Sequence, residues 1–245
     1  MSVATSNISS LSTEQLNALA EIRELAQSST TQELFFSDSA LIRILVARNF
    51  VVKDAFEMWT RWVNWRLTFR PECITEQEMS PHTRTGKAFF HGHDKLGRPC
   101  LIVRVRFHFP KDFTPEETLR YSIYLAERAC EVSDQSGTGQ ICLIYDRGEI
   151  TDANQDPNLI NLIKEMAEVF KDFYAERLGA VYILNVGWVH WLLYHAVRPT
   201  IAKKTREKLH VMRNVKGLLE YFERNQLITE YGGTDDFMPQ YPERL

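Results

Sequence analysis

Residues 176–208 read ERLGAVYILNVGWVHWLLYHAVRPTIAKKTREK, and no other stretch limits the possible folds as much. A charged turn leads into a short apolar run at 180–184, and residues 188–198 then form a helix-length segment that is apolar on nearly every side. Pro199 stops that segment, and Lys203, Lys204, Arg206 and Lys208 follow at once. A helix on a protein surface normally keeps one polar face, so a helix without one must be covered on both sides. An ordinary protein core would meet that demand, and so would a lipid on the inner side with a membrane on the outer. Crossing a bilayer needs about 20 residues, more than this segment has, so the chain is expected to be soluble and to touch membranes from outside.

The rest of the chain alternates between helix and strand patterns. Ser12 and Gln15 form a capping box ahead of Leu16, Leu19, Ile22 and Leu25, which fall on roughly one side of a helix. Ser37 and Asp38 are candidate caps for a second helix carrying Leu41, Ile44 and Leu45. Ala55, Phe56, Trp59, Trp62 and Val63 then recur at helical spacing up to Trp65, a stripe read as packing, and Pro71 ends the helical region. After the turn signal Asp94-Lys95-Leu96-Gly97-Arg98-Pro99, the residues Leu101, Val103, Val105, Phe107 and Phe109 alternate with Ile102, Arg104, Arg106 and His108. That period of two predicts a strand over 101–109 with one apolar and one largely polar face.

Thr114, Pro115 and Glu117 supply a cap, a first-turn proline and a capping-box glutamate for a helix carrying Leu119, Ile123, Ala126 and Cys130. A buried strand is expected over 141–145, ending at Asp146. Asp156-Pro157 is expected to cap a helix bearing Ile160, Ile163, Met166, Ala167 and Phe170, and a further strand over 180–184 precedes the apolar segment. Strands alternating with helices behind a helical start predict an α/β domain with a mixed or parallel sheet.

Composition and motifs narrow the chemistry. The formal net charge of −3 lacks the basic excess of a nucleic-acid-binding protein. Cys73, Cys100, Cys130 and Cys142 show no paired spacing and read as reduced thiols of an intracellular protein. The opening residues lack the basic start and apolar core of a signal peptide, and residues 1–12 are expected to form a flexible tail. There is no GxSxG, no P-loop and no GxGxxG between strand and helix; Gly137-Thr138-Gly139 precedes a strand and reads as a loop. His91-Gly92-His93 has no further ligand at a recognised spacing, so neither a metal site nor a catalytic residue is assigned. His190 and His195 read as polar tips or hydrogen-bonded histidines. The run Lys203, Lys204, Arg206, Lys208 is either a solvated helix face or the basic half of a contact with an anionic membrane.

Several motifs, in order, carry a family likeness. Leu41-Ile42-Arg43-Ile44-Leu45-Val46-Ala47-Arg48-Asn49-Phe50, Trp62, Trp65-Arg66 and Asp94-x-x-Gly97-Arg98-Pro99 resemble segments of the CRAL-TRIO lipid-binding family. So do Glu176-Arg177-Leu178-Gly179, Ile183-Leu184-Asn185 and Glu230-Tyr231-Gly232-Gly233. Within that family the chain resembles the yeast secretory phosphatidylinositol/phosphatidylcholine transfer type. The resemblance implies an N-terminal helical segment over 13–75 and a lipid-binding domain over 85–238, whose sheet floors a lipid cavity closed by a gate helix. Trp188, Val189, Trp191, Leu192, Leu193, Tyr194 and Val197 would belong to that gate, and Lys203, Lys204 and Arg206 would meet the membrane.

By the same resemblance Arg48, Glu176, Thr205 and Lys208 stand where phosphatidylinositol is contacted, although Asn49 replaces an adjacent family lysine. A cation suits the phosphate, and hydroxyl and carboxylate groups suit inositol hydroxyls. The phosphatidylcholine positions are held by Ile141 and Leu143 in place of hydroxyl residues, and by Phe90 and Leu101 in place of tyrosines. Each unsatisfied polar group there would cost about 1–3 kcal/mol, so phosphatidylcholine is expected to bind weakly or not at all. The implied protein is a non-enzymatic monomer without cofactor, cytoplasmic and peripheral on intracellular membranes. Its ligand would be phosphatidylinositol, its partners a membrane surface, phospholipid and a lipid kinase, with no nucleic acid. A carrier of a sterol or other hydrophobe, or an interaction scaffold without lipid exchange, are the alternatives.

Overall fold

The computed structural model describes residues 8–200 and 203–239; the side chains of Ser9, Leu34, Leu159, Ile160, Val189, Leu193, Val197 and Thr200 lie outside the description. Three helices come first: α1 (Thr13–Ser29), α2 (Asp38–Ala47) and α3 (Val52–Phe69). The Ser12/Gln15 box closes the start of α1 with both reciprocal hydrogen bonds. The buried side of α1 is Leu19, Ile22 and Ala26, while Leu16 and Leu25 sit at its edge, partly exposed. These helices share one core with Leu41, Ile42, Leu45, Met58 and Trp59. Trp59 lies inside because its indole N–H donates to the Phe35 carbonyl at 2.7 Å, which satisfies its one polar atom. Ser37 precedes α2 but makes no side-chain cap; Asp38, in the first turn, pairs with Arg23 instead.

A short helix α4 (Ser80–Thr83) leads into the sheet, whose strands are β1 (Ala88–His93), β2 (Pro99–Arg104), β3 (Ile141–Asp146), β4 (Leu178–Leu184) and β5 (Leu209–Val211). Their spatial order follows the chain, β1 pairing antiparallel with β2 and all later pairs parallel. Asp94 makes the β1–β2 turn: one carboxylate oxygen accepts from the backbone of Leu96 and Arg98, each at 3.0 Å, and the other from Arg98 Nε at 2.7 Å. The crossovers are α5 (Pro115–Gln135), α6 (Leu159–Phe173), and the pair α7 (Trp188–Val197) and α8 (Lys203–Lys208).

Two expectations need correction. The strand predicted over 101–109 ends at Arg104, which is paired with Asp146, the last residue of β3. Beyond it the chain has no partner strand and closes a 3-10 turn, Val105–Phe107, while the Asn154 amide takes the Arg106 and His108 carbonyls at 3.0 and 2.9 Å. Its supposedly polar face is buried too, with Ile102 1% and Arg104 0% exposed. The second correction is the start of α6, at Leu159: Asp156 instead accepts from the Asn158 backbone in the turn before it.

Candidate functional site: an apolar sheet face and the acid–base cluster at its edge

The alternation of a strand sends successive side chains to opposite faces, and here the two faces differ. On one, Cys100, Ile102, Cys142, Ile144, Ala180, Tyr182 and Leu184 are at most 1% exposed beneath Leu218, Phe222, Leu227, Ile228 and Tyr231. The other carries two registered rows. Leu101, Leu143, Val181 and Leu209 form the first; Val103, Tyr145, Ile183 and Val211 form the second. Apart from buried Leu101, every member of both rows is only half-buried. Helix α5 covers one end of this face, where Ala129 packs on Leu101 and Ile141 with Phe90 and Leu143 alongside. The sequence-predicted cavity residues Phe90, Leu101, Ile141 and Leu143 therefore lie together. Interior strands whose apolar side chains keep accessible surface present an open apolar face, the chemistry that suits a hydrophobic ligand.

Helix α7 stands beside this face. Its Tyr194 hydroxyl donates to the Leu209 carbonyl of β5 at 3.3 Å. Trp191 and Tyr194 are half-buried, whereas Trp188 and Leu192 point outward at 66% and 56% exposure. Val189, Leu193 and Val197, also expected in the gate, have side chains outside the described residues. His195 is exposed and its ring lies 4.2 Å from that of Trp191. No described helix is long and apolar enough to cross a membrane.

The charged residues that bracket α7 in sequence meet in space. Glu176 sits in the left-handed backbone region at φ 59°, uncommon for a residue with a side chain, and its carbonyl accepts from the Gln140 amide at 3.0 Å. Its carboxylate pairs with Lys204 and lies 3.8 Å from the Lys208 ammonium. Burial lowers the Lys208 pKa, an effect that Glu176 opposes only in part. Lys204, expected at the membrane, is thus engaged with the candidate headgroup carboxylate. Lys203 is outward beside Glu207 at 3.9 Å, Arg206 is half-buried, and Thr205 is exposed on the same helix. Arg48 is not brought to this cluster: its guanidinium faces Asp172 at 3.8 Å. Asn49 beside it adopts φ 51°, a conformation asparagine tolerates better than most residues.

A buried polar network, which the sequence signalled only as a strand end and a closing motif, fastens the carboxyl ends of the strands. Asp146 accepts from Gly148 N at 2.8 Å, Asn185 Nδ2 at 2.7 Å and the Tyr231 hydroxyl at 3.2 Å. Arg106 approaches the same carboxylate at 3.5 Å and pairs with Glu230. Two of the four glycines in the likeness have steric reasons. A Cβ on Gly179 would lie 2.5 Å from Arg98 Nη1, and one on Gly233 would lie 1.8 Å from the Leu227 carbonyl oxygen. Among the described residues there is no group of three or more His, Cys, Asp or Glu placed to hold a metal ion, and His91 lies 3.4 Å from Asp235.

The CRAL/TRIO domain family matches residues 83–233, and the chain belongs to that family, whose members bind and transfer lipids. Patellin-3 of Arabidopsis thaliana is 26% identical, over 94% of this chain and 53% of that protein. The phosphatidylinositol/phosphatidylcholine transfer protein SFH4 of the same plant is 29% identical, over 79% and 35%. The chain spans about half, or less, of the length of these curated relatives. The solved structure of Sfh5 superposes with a TM-score of 0.73 at 16% identity, covering 91% of this chain and 88% of that one, a likeness of fold.

Proposed function

We propose that this chain is a non-enzymatic phosphatidylinositol carrier, exchanging lipid at membranes or presenting it to a lipid kinase. Acyl chains would lie on the apolar sheet face, and α7 would open as a gate when Trp188 and Leu192 enter the bilayer. Lys203 and Arg206 would meet anionic headgroups there, giving a monomer peripheral on intracellular membranes. The observation that carries this reading is Lys208, a partly desolvated cation that Glu176 approaches at 3.8 Å without fully compensating it. A phosphodiester beside Lys208 would complete the pairing, with Thr205 taking an inositol hydroxyl and Glu176 another on release from Lys204, while Arg48, which faces Asp172, would stand apart. SFH4 bears both phosphatidylinositol and phosphatidylcholine in its name, which supports the phospholipid class.

Ile141 and Leu143 offer phosphatidylcholine no hydrogen bond, and each unsatisfied group would cost about 1–3 kcal/mol. That largely apolar floor supports a second reading, a carrier of a neutral hydrophobe. Mass spectrometry of lipids extracted from the purified full chain separates the two. Phosphatidylinositol supports the first and a neutral hydrophobe the second. Phosphatidylcholine as the main species would overturn the specificity argued here.

A further inference from the structure

Lys204 and Lys208 reach for the same carboxylate, and they reach it unequally. They stand four residues apart on α8, a spacing that puts both on one side of the helix. Glu176 faces them from the turn before β4, held by its left-handed backbone and by the Gln140 amide on its carbonyl. Its side chain is 11% exposed, so it meets only what comes to it. Lys204 Nζ donates to Glu176 Oε1, whereas Oε2 stands 3.8 Å from Lys208 Nζ, beyond hydrogen-bond distance. The other carboxylate of α8, Glu207, lies 3.9 Å from Lys203. Among the described residues, no carboxylate oxygen therefore touches the Lys208 ammonium.

Stability does not explain the Lys204 contact. Lys204 is 60% exposed, and an ion pair open to water adds little to a fold. Its consequence is where the carboxylate stands. A carboxylate facing one partly desolvated ammonium would close on it, occupying donors that a phosphate needs and setting its own negative charge against that phosphate. With Oε1 on Lys204, the Glu176 charge is balanced away from Lys208. The charges acting on Lys208 agree with this: burial first, then Lys204 on its own helix and Arg98 on β2 lower its pKa, and Glu176 opposes them.

We infer that Lys204 is a positioning residue for headgroup binding: by holding the Glu176 carboxylate, it keeps the Lys208 ammonium open for the lipid phosphate until the headgroup is seated. This rests on the carrier reading above and gives Lys204 a task inside the site instead of at the membrane surface.

The test is transfer of labelled phosphatidylinositol by the full chain between otherwise neutral phosphatidylcholine vesicles, where attraction of Lys204 to an anionic surface contributes little. Lys204→Gln changes an exposed side chain, and thermal unfolding checks that the variant is folded. It should transfer about fivefold more slowly, the scale of one hydrogen bond, and Lys204→Arg should restore the rate. Adding Glu176→Gln to Lys204→Gln should recover most of the loss, because the competing charge is gone. The titration of Lys208, followed by NMR of its labelled side-chain carbon, should move to higher pH in Lys204→Gln and fall back in the double variant. An unchanged transfer rate in Lys204→Gln, or a Lys208 titration that does not move, overturns the inference and leaves the carrier reading standing. So does a slowed rate that Glu176→Gln fails to relieve, which would put Lys204 in direct contact with lipid. If wild type moves no phosphatidylinositol, the carrier reading fails, and this inference with it.

Discussion

Lys87 allows the sharpest physical prediction. It is 4% exposed, with its ammonium 2.8 Å from His82 Nδ1, 3.3 Å from His108 Nδ1, and over the rings of Phe113 and Tyr121 at 4.2 and 5.0 Å. No carboxylate among the described residues pairs with it; Asp112 raises its pKa only in part, and burial still brings it from 10.5 to about 7. A lysine depressed by folding holds its proton more tightly in the unfolded chain. Between pH 7 and 10.5 the unfolded state therefore carries the extra proton, and stability rises with pH across that window. At about 1.4 kcal/mol per unit the whole window is worth ~5 kcal/mol. Urea unfolding of wild type and Lys87→Met at pH 7, 8 and 9 tests this, because the difference between the two proteins removes the contribution of other groups. The wild-type advantage should grow by ~1 kcal/mol per pH unit. Parallel pH profiles would refute the reasoning and place the Lys87 ammonium in water.

Further predictions follow from neighbouring features. His82 and His108 are both held at about 4, by burial first and by Lys87 second, so the unfolded chain takes up their protons first and stability should fall as pH drops from 6.5 towards 4; replacing either with Gln should shallow that loss in an acid-unfolding series. Gly233→Ala should destabilise by about 3 kcal/mol, since the backbone carbonyl it meets belongs to a paired segment that cannot yield; a denaturation midpoint unchanged from wild type would contradict the packing described. Replacing both Trp188 and Leu192 with Ser should leave thermal stability within about 0.5 kcal/mol, because both are exposed, yet reduce flotation with anionic vesicles at least about tenfold.

Much of this architecture could be read before the structure, wherever local chemistry alone decides the outcome. The Ser12/Gln15 and Thr114/Glu117 boxes depend on residues three apart, and both form as expected. The strand at Ile141–Asp146 follows from a continuous apolar run. Alternation past Arg104 was misleading because strand length depends on a partner, and β3 ends opposite that residue. Which residues meet across the fold is equally non-local. Glu176, Lys204 and Lys208 converge only because β4 and α8 are neighbours, while Arg48 is drawn to Asp172. Lys87 with His82 and His108, and Asp146 with Asn185 and Tyr231, left no periodic trace, since each partner comes from a different element.

The central claim is that Glu176 and Lys208 hold the headgroup of a carried phosphatidylinositol. Vesicle-to-vesicle transfer of labelled phosphatidylinositol by wild type, Glu176→Ala and Lys208→Ala tests it most directly. The account predicts at least about tenfold slower transfer for Lys208→Ala, which removes a charge-assisted contact to phosphate, and a smaller loss for Glu176→Ala. Thermal unfolding should confirm that both variants are folded. Wild-type transfer rates in both variants would contradict the assignment.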